Sequence, residues 1–192
     1  MLLQGSRLND VSVMGLQTGT ELARTTRPII NPDTLEILAY EVRGPLLDMH
    51  PSLLRVIDVR EFSDIGLIVD SSDEFIATTD VIKLEKVYEL NFILVGMSVV
   101  DQHKRKLGKV TDFTLESGSF VIQQLNVKRP LLKSLGDTEL LINRTQIIEI
   151  TNRAIVVRSG EKKLEPIIEA VRTNYVNPFR SQSPTPEHID KN

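Results

Sequence analysis

The sequence contains no cysteine and no tryptophan, and aromatic residues make up only 5% of it. Without cysteine there is no disulfide, no thiolate ligand for zinc or an iron–sulfur cluster, and no thiol nucleophile. Histidine is almost as scarce. His50, His103 and His188 stand far apart, and none lies three or four residues from another, so the spacing of a helical metal site is missing. No apolar run approaches the roughly 18 residues of a membrane span. The stretch Met1–Arg7 lacks the basic region and long apolar run of a secretory signal. The expectation is a soluble cytoplasmic protein.

Motifs of catalysis are missing as well. Gly15-Leu16-Gln17-Thr18-Gly19-Thr20 does not end in the Lys-Ser/Thr that a phosphate-binding loop requires. Ser117-Gly118-Ser119 is out of frame for a nucleophile elbow. Asp70-Ser71-Ser72-Asp73-Glu74 superficially suggests a calcium loop, but Phe75 stands where that loop needs glycine and Ile82 where it needs a bidentate glutamate. Asp58, Glu61 and Asp64 read as surface carboxylates. No metal, cofactor, catalytic residue or small-molecule substrate is expected, and the chain is read as a non-enzyme.

What is present is an ordinary globular composition, 41% hydrophobic and 26% charged over 192 residues. A chain of this length can bury roughly 70% of its unfolded surface. The net charge of −3 hides a division. Residues 1–90 carry 8 Lys/Arg against 15 Asp/Glu, a net of −7, whereas residues 91–160 carry 10 against 6, a net of +4. Such asymmetry speaks to partners rather than to fold.

An internal repeat runs at an offset of 85 residues. Val42-Arg43-Gly44-Pro45-Leu46-Leu47 matches Val127-Lys128-Arg129-Pro130-Leu131-Leu132. The same offset pairs Leu22 with Leu107, Ile37 with Ile122, Val56 with Leu141, Ile57 with Ile142 and Phe62 with Ile147. Two similar modules are expected, residues 1–88 and 89–160. In the second, Gly96–Asp101, Leu107–Leu115, Phe120–Val127, Leu140–Ile142, Ile147–Ile150 and Ala154–Arg158 read as short strands separated by turn residues. Alternation places Leu107, Lys109, Thr111, Phe113 and Leu115 on one face, with Val110 and Asp112 on the other. In the first, Ser12–Met14, Leu35–Val42, Leu53–Val59 and Leu67–Val69 read as strands, with Asn31-Pro32-Asp33 as a turn. Strands this short and frequent suggest a small barrel in each module. Lys83–Leu94 has no glycine or proline and reads as a stiff connection. Leu164, Ile167, Ile168, Val171 and Tyr175 form one stripe of an amphipathic helix over 161–176, followed by a mobile Pro/Ser-rich tail over 177–192.

The second module resembles a PRC-barrel domain. The resemblance rests on Gly96-x-x-Val99-x-Asp101, on Leu107-Gly108-x-Val110-x-Asp112, and on the later strands around Leu125-x-Val127, Ile147–Ile150 and Ala154–Val157, which follow in family order. The family takes its name from the cytoplasmic barrel of the photosynthetic reaction centre H subunit and supplies a domain of a bacterial ribosome maturation factor. The first module departs from the pattern, with Ala23, Thr25 and Arg27 in place of Gly108, Val110 and Asp112. The resemblance implies a mostly β chain of two tandem barrels acting in assembly, docking or maturation.

The candidate binding residues are Lys104, Arg105, Lys106, Lys109, Lys128 and Arg129, drawn from a basic turn and the strands beside it. Adjacent cations repel one another and prefer water or an anionic partner. The first expectation is an adaptor or assembly module that binds another protein or itself. The alternative is an RNA-processing or ribosome-maturation factor that uses the basic turn. An enzyme between the barrels, and attachment to a membrane through a bound partner, are the remaining readings.

Overall fold

In the computed structural model, residues 1–45, 47–48, 50–129 and 139–158 are described. The helix expected over 161–176, the tail over 177–192 and the repeat residues Pro130, Leu131 and Leu132 lie outside them. Among the described residues, aliphatic and β-branched side chains give fourteen strands: β1 (Leu2–Gln4), β2 (Ser12–Gly15), β3 (Glu21–Asn31), β4 (Glu36–Arg43), β5 (Ser52–Arg55), β6 (Glu61–Ser63), β7 (Gly66–Val69), β8 (Phe75–Ala77), β9 (Ser98–Asp101), β10 (Lys106–Glu116), β11 (Val121–Lys128), β12 (Glu139–Asn143), β13 (Ile147–Ile150) and β14 (Ala154–Val157). One short helix, α1 (Ile82–Glu89), separates β8 from β9. No helix among the described residues is long and apolar enough to cross a membrane.

The fold is mostly β, and all fourteen strands join one mixed sheet. Its main path runs β13-β14-β9-β10-β11-β4-β3-β2-β7-β6, with β1 on β10, β12 on β11, and β5 between β4 and β8. Among the described residues no ladder joins β5 to β6 or β12 to β13, so neither half closes through its strand pairing.

The same set of ladders occurs twice. β2–β3, β3–β4, β4–β5 and β6–β7 are antiparallel and β2–β7 is parallel. β9–β10, β10–β11, β11–β12, β13–β14 and β9–β14 repeat the series. Even the bulges recur: β3 breaks register between Thr25 and Pro28 and between Ile29 and Ile30, β10 between Val110 and Asp112 and between Thr114 and Leu115.

The first β10 bulge overturns the expected strand faces. A single extra residue reverses which side chains face inward. Gly108 and Val110 are buried before it, Phe113 and Leu115 after it, and Lys109 and Thr111 are exposed. Other corrections are local. The strand expected over 53–59 stops at Arg55 and gives way to a 3₁₀ turn, Val56–Asp58. Helix α1 occupies most of the first part of the connection read as stiff, Lys83–Leu94, beginning one residue before it, and its Leu84 packs with Ile29, Ala39 and Leu53 in a small second core.

Three features tie the halves together. Ile37 N–H donates to Phe120 O at 3.0 Å and Ile122 N–H to Leu35 O at 2.9 Å, a reciprocal pair that joins β4 to β11. The segments leading into each half are exchanged: β1 pairs with β10 of the second half, while α1 packs against the first. A single core cluster then contains Leu8, Ile37 and Leu54 together with Leu115, Ile122 and Leu125. Residues Met1–Ser159 accordingly form one compact unit.

One buried polar side chain distinguishes the halves. Thr25 is buried; its hydroxyl donates to Leu8 O at 2.7 Å and accepts from Val11 N–H at 2.9 Å. Its counterpart at the repeat offset is Val110. Thr25→Val should cost about 2 kcal/mol, because it leaves a buried donor and acceptor unpaired. Urea denaturation measures this, and an unchanged midpoint would show that the hydroxyl is dispensable.

Candidate functional site

The basic turn is built around one carboxylate. Asp101 ends β9 with its side chain fully buried, at 0% exposure. It accepts from His103 N–H and Arg105 N–H, each at 2.8 Å, and from Arg105 Nε at 2.6 Å. Lys104 sits in the left-handed region at φ 62°, which lets the chain turn back into β10. Arg105 is therefore tied to the turn that it occupies, and Lys104 is exposed within it. His103 is exposed.

The other four predicted residues come together. Lys106, Lys109, Lys128 and Arg129 line one open groove of about 610 Å³ with Val95, Gly96, Gly108, Val110 and Thr111. Lys109 and Lys128 are direct cross-strand partners on β10 and β11. Like charges placed opposite each other disfavour the sheet. Among the described residues none of these four side chains has an ion pair.

The first half shows what the same place looks like with its charges balanced. Arg24 and Arg43 are cross-strand partners there, at the positions of Lys109 and Lys128. Asp10 lies between them, 3.1 Å from Arg24 Nε and 2.9 Å from an Arg43 guanidinium nitrogen. Glu21, at the position of Lys106, pairs with Arg24 at 2.9 Å and accepts from the Ser12 hydroxyl at 2.6 Å.

Backbone pairing fixes the counterpart of Asp10. Asp10 N–H donates to Thr25 O and Gly96 N–H to Val110 O, and both residues have positive φ, 57° and 93°. Gly96 therefore stands where Asp10 stands, without a carboxylate. Between the halves, Asp10 becomes Gly96, Glu21 becomes Lys106, and Gly44 becomes Arg129. A neutral network of two acids and two arginines becomes four cations.

Several other polar groups have local partners. Asp70 pairs with Arg60 at 2.5 Å and Asp58 with Arg55 at 2.6 Å. The Ser71 hydroxyl caps the 3₁₀ turn Ser72–Glu74 in the run that resembled a calcium loop. Asp112 holds Ser6 through its amide and hydroxyl, at 3.1 and 2.6 Å. Among the described residues no three His, Asp or Glu side chains converge as metal ligands.

The sequence reading missed Asp10, Arg24, Arg43 and Asp101. The repeat offset held the signal for the two arginines. The Asp10–Gly96 match sits one residue out of that offset and emerges only from the hydrogen bonds.

Two of these carboxyls add to the pH dependence of stability, the exposed Asp10 less than the buried Asp101. Burial pushes Asp101 up, but hydrogen bonds from the Arg105 amide and guanidinium and the His103 amide outweigh it, and its pKa falls below the ordinary 3.8. Hydrogen bonds from Arg43 and Arg24 lower Asp10 in the same way. A depressed folded-state pKa gives stability that is present above the unfolded value and lost as pH falls through the folded one. The urea midpoint should therefore fall as pH drops below about 5 and on through the folded-state values below 3.8, and Asp101→Asn should flatten that fall. An equal slope in the variant would remove Asp101 from the account.

No family model matches the chain, and no curated protein matches it.

Proposed function

We propose that the chain is a non-enzymatic docking module made of two PRC-barrel-like halves. In the first half the matching place is charge-balanced, with Asp10 and Glu21 against Arg24 and Arg43, and serves the structure. The second engages another protein through Lys106, Lys109, Lys128 and Arg129. The observation that carries this reading is the pair of cross-strand lysines, Lys109 and Lys128, at a position where the first half supplies Asp10 between two arginines. A repulsive pairing kept at an open groove favours an anionic partner. The duplicated ladders and the order of the second half's strand motifs support the PRC-like reading of each half.

A tagged pull-down from native lysate, with and without RNase and at two salt concentrations, tests the reading. The expected result is a discrete protein that survives RNase and moderate salt and is lost with Lys109→Glu/Lys128→Glu. Ribosomal proteins lost on RNase treatment would replace it with the RNA-processing reading. If the wild type retains nothing and does not self-associate, the docking reading falls.

A further inference from the structure

Resting on that docking reading, we infer that the partner offers an extended segment alternating acidic and aliphatic residues, one carboxylate of which bridges Lys109 and Lys128 as Asp10 bridges Arg24 and Arg43. The first half supplies the template. A backbone segment, Asn9–Ser12, runs beside β3 and delivers the Asp10 carboxylate between cationic side chains on neighbouring strands. In the second half, Gly96 gives the same path with no side chain, and a Cβ built there meets nothing within 4 Å. Space for a carboxylate from another chain is therefore open where the first half fills it from its own.

The groove's chemistry sets the rest of the segment. Val95 and Gly96 give the groove an apolar floor, while Val110 faces the core, and the lysine stems add aliphatic surface with their charges kept to water at the rim. An extended segment sends alternate side chains to opposite faces. Aliphatic residues at every second position would meet the floor, leaving the acidic residues between them to meet the rim. Among the described residues no aromatic side chain lines the groove. Proteins that bind single-stranded RNA stack its bases on such rings, so the lining favours a polypeptide over RNA.

The test is fluorescence anisotropy with three labelled probes: a dodecapeptide of alternating Glu and Val, a dodecaglutamate, and a dodecauridylate. The alternating peptide should bind more tightly than dodecaglutamate, and its affinity should weaken between about 50 and about 200 mM salt. Lys109→Glu/Lys128→Glu should weaken it by about tenfold or more. Gly96→Asp, which places a carboxylate in cis, should weaken it, with far-UV circular dichroism checking the fold because φ 93° at Gly96 strains a side chain more than the 57° of Asp10. Arg24→Glu in the first half should leave binding unchanged.

Tighter binding of the dodecauridylate overturns the inference, as does equal binding of the two peptides, or peptide binding untouched by the charge reversals. If none of the probes binds while a protein partner is still captured through Lys109 and Lys128, the inference falls and the docking reading stands. If the captured partner ignores both lysines, the docking reading falls with it.

Discussion

Gly108→Ala is expected to destabilise the protein by about 3 kcal/mol and to lower its thermal midpoint by about 6–12 °C. A Cβ at this position would stand 2.2 Å from Lys128 O, 2.9 Å from Lys128 C and 2.8 Å from Val127 Cγ1. Two of these neighbours are backbone atoms of the paired strand, so relief requires β11 to move. The first half relieves the same crowding from the other strand. There Ala23 occupies the position of Gly108, and Gly44 replaces Arg129; a Cβ on Gly44 would lie 2.7 Å from Leu22 O and 3.1 Å from Ala23 Cα. Ala23→Gly should therefore cost only about 1 kcal/mol, the ordinary penalty of glycine in a strand. Differential scanning calorimetry of the two variants decides the matter. Equal effects would mean that the close approach at Gly108 is not a constraint.

Leu54→Ala in the first half and Leu125→Ala in the second should each cost about 3 kcal/mol and shift one and the same unfolding transition. Both side chains are completely buried and belong to a single core cluster. The reciprocal bonds between Ile37 and Phe120 and between Ile122 and Leu35, with β1 and α1 lent across the halves, leave neither half a complete surface of its own. Far-UV circular dichroism in urea should show one transition for the parent and for both variants. Two resolved transitions, each moved by only one variant, would establish independently folding halves.

The long apolar strands, β4 and β11, were legible because Leu35–Val42 and Phe120–Val127 are rich in aliphatic and β-branched residues. β3 was not legible: Arg24-Thr25-Thr26-Arg27-Pro28 interrupts it with polar residues and a proline, tolerated because a bulge falls there. That bulge and its counterpart in β10 also defeated the alternation rule, since register is a property of the pair of strands rather than of one. The expected separation into residues 1–88 and 89–160 overlooked the exchange of lead-in segments, which leaves no composition signal. The site divided in the same manner. The basic run was visible, but Asp101 takes Arg105 out of it, and the groove gathers Lys106, Lys109, Lys128 and Arg129 from places that only the β10–β11 register brings together.

The exchange of β1 also sets an order of events on the ribosome. Leu2, Leu3 and Gln4 find their strand partners in Glu116, Leu115 and Thr114, and Ser6 bonds Asp112 across 106 residues of sequence. At a synthesis rate of about 5–20 residues per second, the first strand waits roughly 5–20 s for the one that completes it. Over that interval Leu3 and Leu8, which end buried in the core, remain available to a chaperone or to a neighbouring nascent chain. Folding of the first half during translation therefore cannot include its own beginning.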